Sequence, residues 1–121
     1  CQPRLVASSP TKCEDLGVSL EYLKVIREGM KEACAPGGTA FPFFDGKPVV
    51  VACKTGTAEI GEKDEKGRRR THGWLTLMAP AENPEIVITV LVESDEKHPF
   101  VEGSRDAGPI AKELVKEWVG K

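Results

Sequence analysis

The sequence predicts an α+β fold that runs helix, three antiparallel strands, helix. In two separate segments, apolar residues recur at steps of three and four, which is typical of amphipathic helices. Between these segments lie three short apolar runs rich in β-branched residues, which favour strands. Only a tight proline-containing turn separates the last two runs, so we expect those strands to pair antiparallel.

The first helix is predicted over residues 19–34, after a loop-like lead-in at 1–18. Ser19 is a suitable N-cap, and Glu21 follows in the first turn, where the helix dipole favours an anion. The apolar residues form a single stripe of Leu20, Leu23, Ile26, Met30 and Ala33. We therefore expect this stripe to pack on the sheet.

The sheet is predicted over residues 48–93. Its first strand, about 48–58, is β-branched and follows a proline, and the other two strands are expected at 73–79 and 86–92. The segment 60–72 is almost wholly polar and reads as a long hairpin loop. The third strand is apolar on both faces, so both of its faces require cover.

The last helix is predicted over residues 105–119. Pro109 fits the first turn of this helix, because proline needs no hydrogen-bond acceptor there. The apolar stripe of the helix consists of Ile110, Leu114, Val115 and Trp118. This helix completes the predicted element order.

Composition restricts the kind of protein. With 121 residues, the chain is one domain or a piece of one, and its net charge of -2 provides no basic field for nucleic acid. No apolar run approaches the roughly 18 residues that span a bilayer. The chain begins at Cys1 without an initiator methionine, which suggests a fragment, a processed product or a trimmed chain. A short extended piece is expected at residues 3–6.

The cysteines and histidines do not predict a metal site or a cofactor. The four cysteines have no CxxC spacing, and the two histidines stand alone. Cys34 and Cys53 lie in apolar surroundings and read as small buried residues. Cys1 and Cys13 are able to form a disulfide in an oxidising compartment, which the sequence leaves open.

The candidate site is the run Lys54-Thr55-Gly56-Thr57, where the first strand becomes polar. Extended geometry places Lys54 and Gly56 on one face of the strand and the two threonines on the other. Gly56 permits close approach of a ligand or of another backbone segment. A strand with hydroxyls, backbone N–H groups and a fixed cation is suited to binding a carboxylate.

Several segments in order extend this motif: GGTA at 37–40, CKTGTAE at 53–59, GW at 73–74 and APAENPE at 79–85. Together with GS at 103–104 and PIA at 109–111, they resemble the C-terminal part of the transpeptidase domain of penicillin-binding proteins. The resemblance spans most of the chain and is greatest to the monofunctional class B, PBP2-like members. It implies a partial β-lactamase/transpeptidase-like fold, with residues 1–121 as the C-terminal portion of that domain.

The resemblance implies a role for each residue of the motif. The family cross-links peptidoglycan stem peptides by serine acyl transfer from D-Ala-D-Ala, and β-lactams acylate the same serine. Lys54 would supply positive charge beside the catalytic serines, and Thr55 and Thr57 would bind the substrate carboxylate. The backbone N–H of Thr57 would contribute to the oxyanion hole, and Gly56 would keep the strand open to substrate.

The chain departs from the family in lacking a nucleophile motif. No serine is followed three residues later by lysine, and there is no S-x-N. We therefore expect the chain alone to be inactive and its partner to be the remainder of the domain, which carries both motifs. Two alternatives from the same superfamily are a penicillin-sensing domain and a serine β-lactamase. Cys53, which stands where the family has glycine, has no histidine beside it and is a poor candidate nucleophile.

The resemblance also implies a location and a mode of association. The family works at the extracytoplasmic face of the bacterial cytoplasmic membrane, anchored by a segment that this chain lacks. In the family's sheet, the last strand present here has a further neighbour from the start of the domain. Without that neighbour, the strand at 86–92 exposes an unpaired edge, which predicts a strand-paired or swapped dimer for the chain alone.

Overall fold

The computed structural model describes residues 13–15 and 17–120. Helix α1 (Leu20–Cys34) is followed by strands β1 (Ala52–Ile60), β2 (Arg70–Ala79) and β3 (Ile86–Val92). One π-helical turn (Gly103–Ala107) then leads into helix α2 (Gly108–Val119). The predicted α+β fold class is confirmed. The extended piece expected at residues 3–6 lies outside the described residues.

The three strands form one antiparallel sheet in the order β1-β2-β3. Lys54 of β1 lies opposite Thr76 of β2, and Thr76 lies opposite Thr89 of β3. The Thr76 and Thr89 hydroxyls are hydrogen-bonded at 3.0 Å across this pair. Among the described residues, the outer edges of β1 and β3 carry no further strand.

The two faces of the sheet differ in cover. The helix-covered face is buried and packs with the end of α1 and with α2; its central side chains are Cys53, Leu75, Leu77, Ile88 and Val90. The alternate residues form the open face, which comprises Lys54, Trp74, Thr76, Val87, Thr89 and Leu91. Val87 is 67% exposed, although it lies in an apolar strand.

Helix α1 begins as the sequence predicts. The Ser19 hydroxyl accepts a hydrogen bond from the Tyr22 backbone N–H at 3.3 Å, which confirms Ser19 as the N-cap. The predicted apolar stripe is only partly buried, and only at Met30 and Ala33, because α1 reaches β1 through its last turns. Leu20, at the other end, is 84% exposed.

The other elements differ from prediction at their ends. Strand β1 begins at Ala52 instead of residue 48, because its pairing with β2 starts at the Ala52–Met78 pair. The preceding residues lie beside the β2–β3 turn, where the Ala81 N–H donates to the Val50 carbonyl oxygen at 2.8 Å. Helix α2 begins at Gly108 instead of residue 105, since the π-helical turn occupies the residues before it.

The predicted stripe of α2 is also corrected in part. Val115 is buried, but Ile110 and Leu114 are exposed, and Ala111 takes the central place against the sheet. A small residue at that position lets the helix axis approach the strands closely. The stripe that contacts the sheet is therefore rotated from the one the largest apolar residues suggest.

Candidate active site

The Lys54–Thr57 run lies on β1, whose outer edge has no strand beside it among the described residues. The alternation of the strand agrees with the burial of its residues: Cys53 is fully buried on the helix-covered face, and Lys54 is exposed on the open face. Pairing with β2 holds this segment in register, with Gly56 opposite Trp74 and Thr57 opposite Gly73. The backbone groups on its other side are accessible to a ligand.

The Lys54 ammonium group is available to a ligand. It donates to the carbonyl oxygen of Thr55 on its own strand, and it remains exposed. None of the ion pairs between described residues involves Lys54. A cation without a carboxylate partner at a sheet edge attracts an anionic ligand or a developing negative charge.

The two threonine hydroxyls of the motif have different surroundings. Thr55 is half-buried, and its Oγ1 donates to Thr39 Oγ1 at 3.1 Å. Thr39 belongs to the turn that follows α1, so this hydrogen bond joins the GGTA segment to the KTGT strand. Thr57 is exposed further along β1. The strand thus presents one supported hydroxyl and one open hydroxyl.

A backbone contact between glycines supports the strand from the helix-covered face. A Cβ built on Gly103 would lie 2.5 Å from the Gly56 carbonyl oxygen and 2.1 Å from the Trp74 carbonyl oxygen. A Cβ on Gly73 would lie 2.7 Å from the Glu102 backbone. The start of the π-helical turn therefore packs directly beneath the motif, where only glycine fits.

Gly56 itself has a different role. A Cβ at this position would meet only the Trp74 Cβ, at 3.4 Å. The space beside Gly56 is therefore open, which agrees with its predicted role in admitting a ligand. The sequence marks Gly73 and Gly103 only as parts of short motifs, because a glycine in a strand pattern indicates close approach but does not identify the neighbour.

A disulfide anchors the strand one residue before Lys54. Cys34, the last residue of α1, is bonded to Cys53, with the two Cα atoms 6.0 Å apart and both side chains buried. The prediction that both are small buried residues is confirmed, and the bond between them is a feature that the sequence leaves open. Closing a loop with a sequence separation of 19 stabilises the fold by about 3 kcal/mol on a chain-entropy estimate. The possible pairing of Cys1 involves a residue outside the described part.

The contact between Ser94 and His72 does not provide a nucleophile. The Ser94 backbone N–H donates to His72 Nδ1 at 3.0 Å, and the Ser94 hydroxyl lies 3.4 Å from the same nitrogen. Because Nδ1 already accepts the backbone N–H, its lone pair is not available to remove the Ser94 proton. This contact fixes the end of β3 against β2 and is structural.

The described residues also lack two other kinds of feature. No group of three or more histidine, cysteine or acidic side chains is placed to hold a metal ion within residues 13–15 and 17–120. In the same ranges, no helix is both long and apolar enough to cross a membrane.

Comparison with known proteins agrees with this geometry. Residues 1–116 match the family described as the penicillin-binding protein transpeptidase domain. The peptidoglycan D,D-transpeptidase MrdA of Salmonella typhimurium is 31% identical over 83 residues, which are 60% of this chain and 13% of that protein. The chain therefore spans a small part of the curated relatives that it matches.

Two solved structures share the fold. PBP2 of Pseudomonas aeruginosa, in complex with WCK 5153, is similar with a TM-score of 0.67 and 29% identity, covering 97% of this chain and 23% of that one. Penicillin-binding protein A of Mycobacterium tuberculosis, as an imipenem acyl-enzyme complex, has a TM-score of 0.56 and 29% identity, covering 84% and 20%. From its sequence, fold and motif strand, this chain belongs to the penicillin-binding protein transpeptidase domain family.

Proposed function

We propose that this chain is the C-terminal part of the transpeptidase domain of a class B, PBP2-like peptidoglycan D,D-transpeptidase. The intact domain cross-links stem peptides by serine acyl transfer and is acylated by β-lactams. The observation that supports this most is the edge strand β1, on which Lys54, two threonine hydroxyls and the open backbone beside Gly56 occur together.

In the proposed reaction, the serine oxygen of the missing motif attacks the carbonyl carbon between the two D-alanines. The backbone N–H of Thr57 and that of the nucleophile donate to the oxygen that becomes negative, and preorganised donors of this kind contribute about 3–4 kcal/mol each. Lys54 contributes positive charge beside the reacting serines. Free D-alanine leaves, and an amine of a second stem peptide then takes the acyl group.

The same strand also recognises the substrate. Thr55 and Thr57 donate hydrogen bonds to the terminal carboxylate of the stem peptide, or to the equivalent carboxylate of a β-lactam. Gly56 leaves room for the ligand backbone to lie along the strand. Catalytic roles therefore fall to Lys54 and Thr57, and substrate-binding roles to Thr55, Gly56 and Thr57.

The first partner is the remainder of the domain, which supplies the S-x-x-K and S-x-N motifs. The open face supports this assignment, because Lys54 projects from the same face as Trp74, which is 39% exposed, and Leu91, which is 40% exposed. Trp74 and Leu91 are partners across β2 and β3, and an exposed patch of adjacent apolar side chains marks an interaction surface. An element that covers them would bring a nucleophile to the Lys54 side of the sheet.

The proposed location is the extracytoplasmic face of the bacterial cytoplasmic membrane, with an anchor in another part of the protein. The Cys34–Cys53 disulfide supports this location, since structural disulfides persist in oxidising compartments and are rare in the cytosol.

The proposal is tested by measuring acylation of the intact domain with a fluorescent penicillin. Lys54→Ala is expected to slow acylation by about 100-fold or more, because it removes a fixed charge from the reacting centre. Thr57→Val is expected to slow it by about tenfold, because it removes a hydroxyl donor but keeps the backbone N–H. Both variants should melt at the wild-type temperature, since both side chains are exposed.

The matched control is Lys63→Ala, which removes an exposed lysine from the 61–69 loop and should leave the rate unchanged. Wild-type acylation rates in both motif variants would contradict the proposed site. The 121-residue chain alone should give no labelled band, and a covalent band from it would show that the nucleophile lies within this chain.

A further inference from the structure

The hydrogen bond between Thr55 and Thr39 links the KTGT strand to a residue that the proposed reaction does not use. Its two hydroxyl oxygens lie 3.1 Å apart, although the residues are 16 positions apart in sequence. We propose that Thr39 is a positioning residue for carboxylate recognition, which acts by orienting the Thr55 hydroxyl. This inference rests on the proposed function, in which Thr55 binds the carboxylate.

The turn that carries Thr39 is held firmly on both sides. The Gly38 N–H donates to the Ala35 carbonyl oxygen and the Ala40 N–H to the Ala33 carbonyl oxygen, both at 2.8 Å. Ala40 is fully buried, and a Cβ at Gly38 would lie 2.2 Å from the Glu32 carbonyl oxygen. Thr39 therefore sits on a close-packed turn directly after α1.

The disulfide fixes the same turn relative to the strand. Cys34 ends α1 five residues before Thr39 in the printed sequence, and Cys53 lies two residues before Thr55. The two segments that carry Thr39 and Thr55 are thus covalently joined a few residues before these threonines. A hydrogen bond between groups held in this way loses little conformational entropy when it forms.

The two hydroxyls have one proton each, which limits the hydrogen bonds that this pair is able to donate. Each threonine has one hydroxyl proton, and without ligand Thr55 donates its proton to Thr39. To donate to a carboxylate, the Thr55 proton turns toward the ligand, and the Thr39 proton then turns to the Thr55 oxygen. Neither proton leaves its oxygen, and the contact between the hydroxyls is kept with its direction reversed.

This reversal strengthens the interaction with an anion. A hydroxyl that accepts a hydrogen bond is polarised and becomes a better donor. Thr39 therefore supports Thr55 only when an acceptor is present on the ligand side. A residue needed merely for packing would not act through the Thr55 hydroxyl.

The test is a double-mutant cycle in the intact domain, read as the second-order rate of acylation by benzylpenicillin. Thr39→Val should slow acylation roughly three- to tenfold, the range for loss of one neutral hydrogen bond. In a Thr55→Val background, the further change Thr39→Val should alter the rate by less than about twofold, because no hydroxyl remains to orient. Thr39→Ser, which restores a hydroxyl, should return the rate to that of the wild type.

The matched control is Thr89→Val, which breaks the Thr76–Thr89 hydroxyl pair of 3.0 Å between β2 and β3 and touches neither Thr39 nor Thr55. It should leave the acylation rate unchanged. A rate for Thr39→Val equal to or above wild type, failure of Thr39→Ser to restore it, or an equal loss with and without Thr55 would each overturn this inference alone. Absence of any adduct with the unsubstituted domain would overturn the proposed function as well.

Discussion

The helix-covered face and the open face of the same three strands differ in how far their side chains are removed from solvent. On the first, the central side chains are almost fully removed from solvent, and a disulfide joins the sheet to α1. On the second, apolar side chains such as Val87 and Leu91 remain in contact with solvent. Strand β3 is apolar on both faces, so its sequence suits a sheet covered on both sides.

The difference separates the parts of the site that this chain builds from those that it lacks. Everything that positions the KTGT strand lies at its edge or on the helix-covered face: the disulfide, the Thr39 turn and the backbone at Gly103. The charge of Lys54 projects from the open face, where the rest of the reaction is expected. The described residues thus position the KTGT strand from the helix-covered face, whereas the open face has little cover among them.

The support is most sensitive at Gly103. Gly103→Ala should destabilise the domain by about 3 kcal/mol or more, because the added methyl group would overlap the carbonyl oxygens of Trp74 and Gly56. Thermal denaturation measures this directly. The control Gly29→Ala, in α1 with no atom within 4 Å of the added Cβ, should instead raise stability by about 1 kcal/mol. Equal melting temperatures for Gly103→Ala and wild type would contradict the close packing beneath β1.

The disulfide should have the next largest effect. Replacing Cys34 and Cys53 together by alanine is expected to cost about 3 kcal/mol, through loss of the covalent loop closure. Acylation should slow as well, since β1 loses its anchor one residue before Lys54. Lys63→Ala, at an exposed loop position that leaves this bond intact, is the comparison for both measurements. A double variant with wild-type stability and rate would show that packing alone positions the strand.

The open face predicts self-association of the 121-residue chain. An apolar strand with one unpaired edge and one uncovered face pairs with other strands, so sedimentation at micromolar concentration should show dimers. Val87→Lys places a charge on that exposed strand and should shift the chain toward monomer. Ile110→Lys, which places the same charge at an exposed apolar position on α2, should leave the degree of association unchanged. A wild-type chain that remains monomeric would show that the described sheet needs no further strand.

The features that the sequence predicts well are those whose cause is local. Ser19 caps a helix with a hydrogen bond to a residue three positions away, and Pro109 needs no neighbour to start one. The KTGT motif is likewise continuous, and the alternation of its residues follows from strand geometry alone. For such features, the residues themselves contain the physical reason.

The features that the sequence does not predict depend on which distant segments meet. Cys34 and Cys53 each look like a small buried residue, and only the fold brings them together. Thr39 and Gly103 have no local signal that names Thr55 or Gly56 as their neighbours. Helical periodicity marks an apolar stripe but not what covers it, so Leu20 and Ile110 were expected to be buried and are exposed.

The smallest expected effect concerns an ion pair that fastens α1 beside the helix-covered face. Lys31 Nζ lies 2.7 Å from Glu82 Oε1 in the β2–β3 turn, and Arg27 Nη1 donates to the Glu82 carbonyl oxygen at 3.0 Å. The hydrogen bond from Lys31 lowers the pKa of Glu82, and the hydrogen bonds to Glu82 and Glu28 raise the pKa of Lys31. The pair is exposed, so salt should weaken it.

The direction of each shift fixes the pH dependence. Because the pKa of Glu82 is lowered on folding, its contribution to stability is present above its unfolded pKa and is lost as pH falls through the folded pKa. Because the pKa of Lys31 is raised, its contribution is present below its unfolded pKa and is lost as pH rises through the folded pKa.

Glu82→Gln should therefore lower the melting temperature slightly at neutral pH and not at all in acid. Glu113→Gln, whose partner Lys116 lies in the same helix, joins no two elements and should show a smaller difference at neutral pH. A Glu82→Gln effect that persists unchanged into acid would mean that the negative charge of Glu82 is not its cause, because the carboxyl group is then protonated and neutral in the wild type as well.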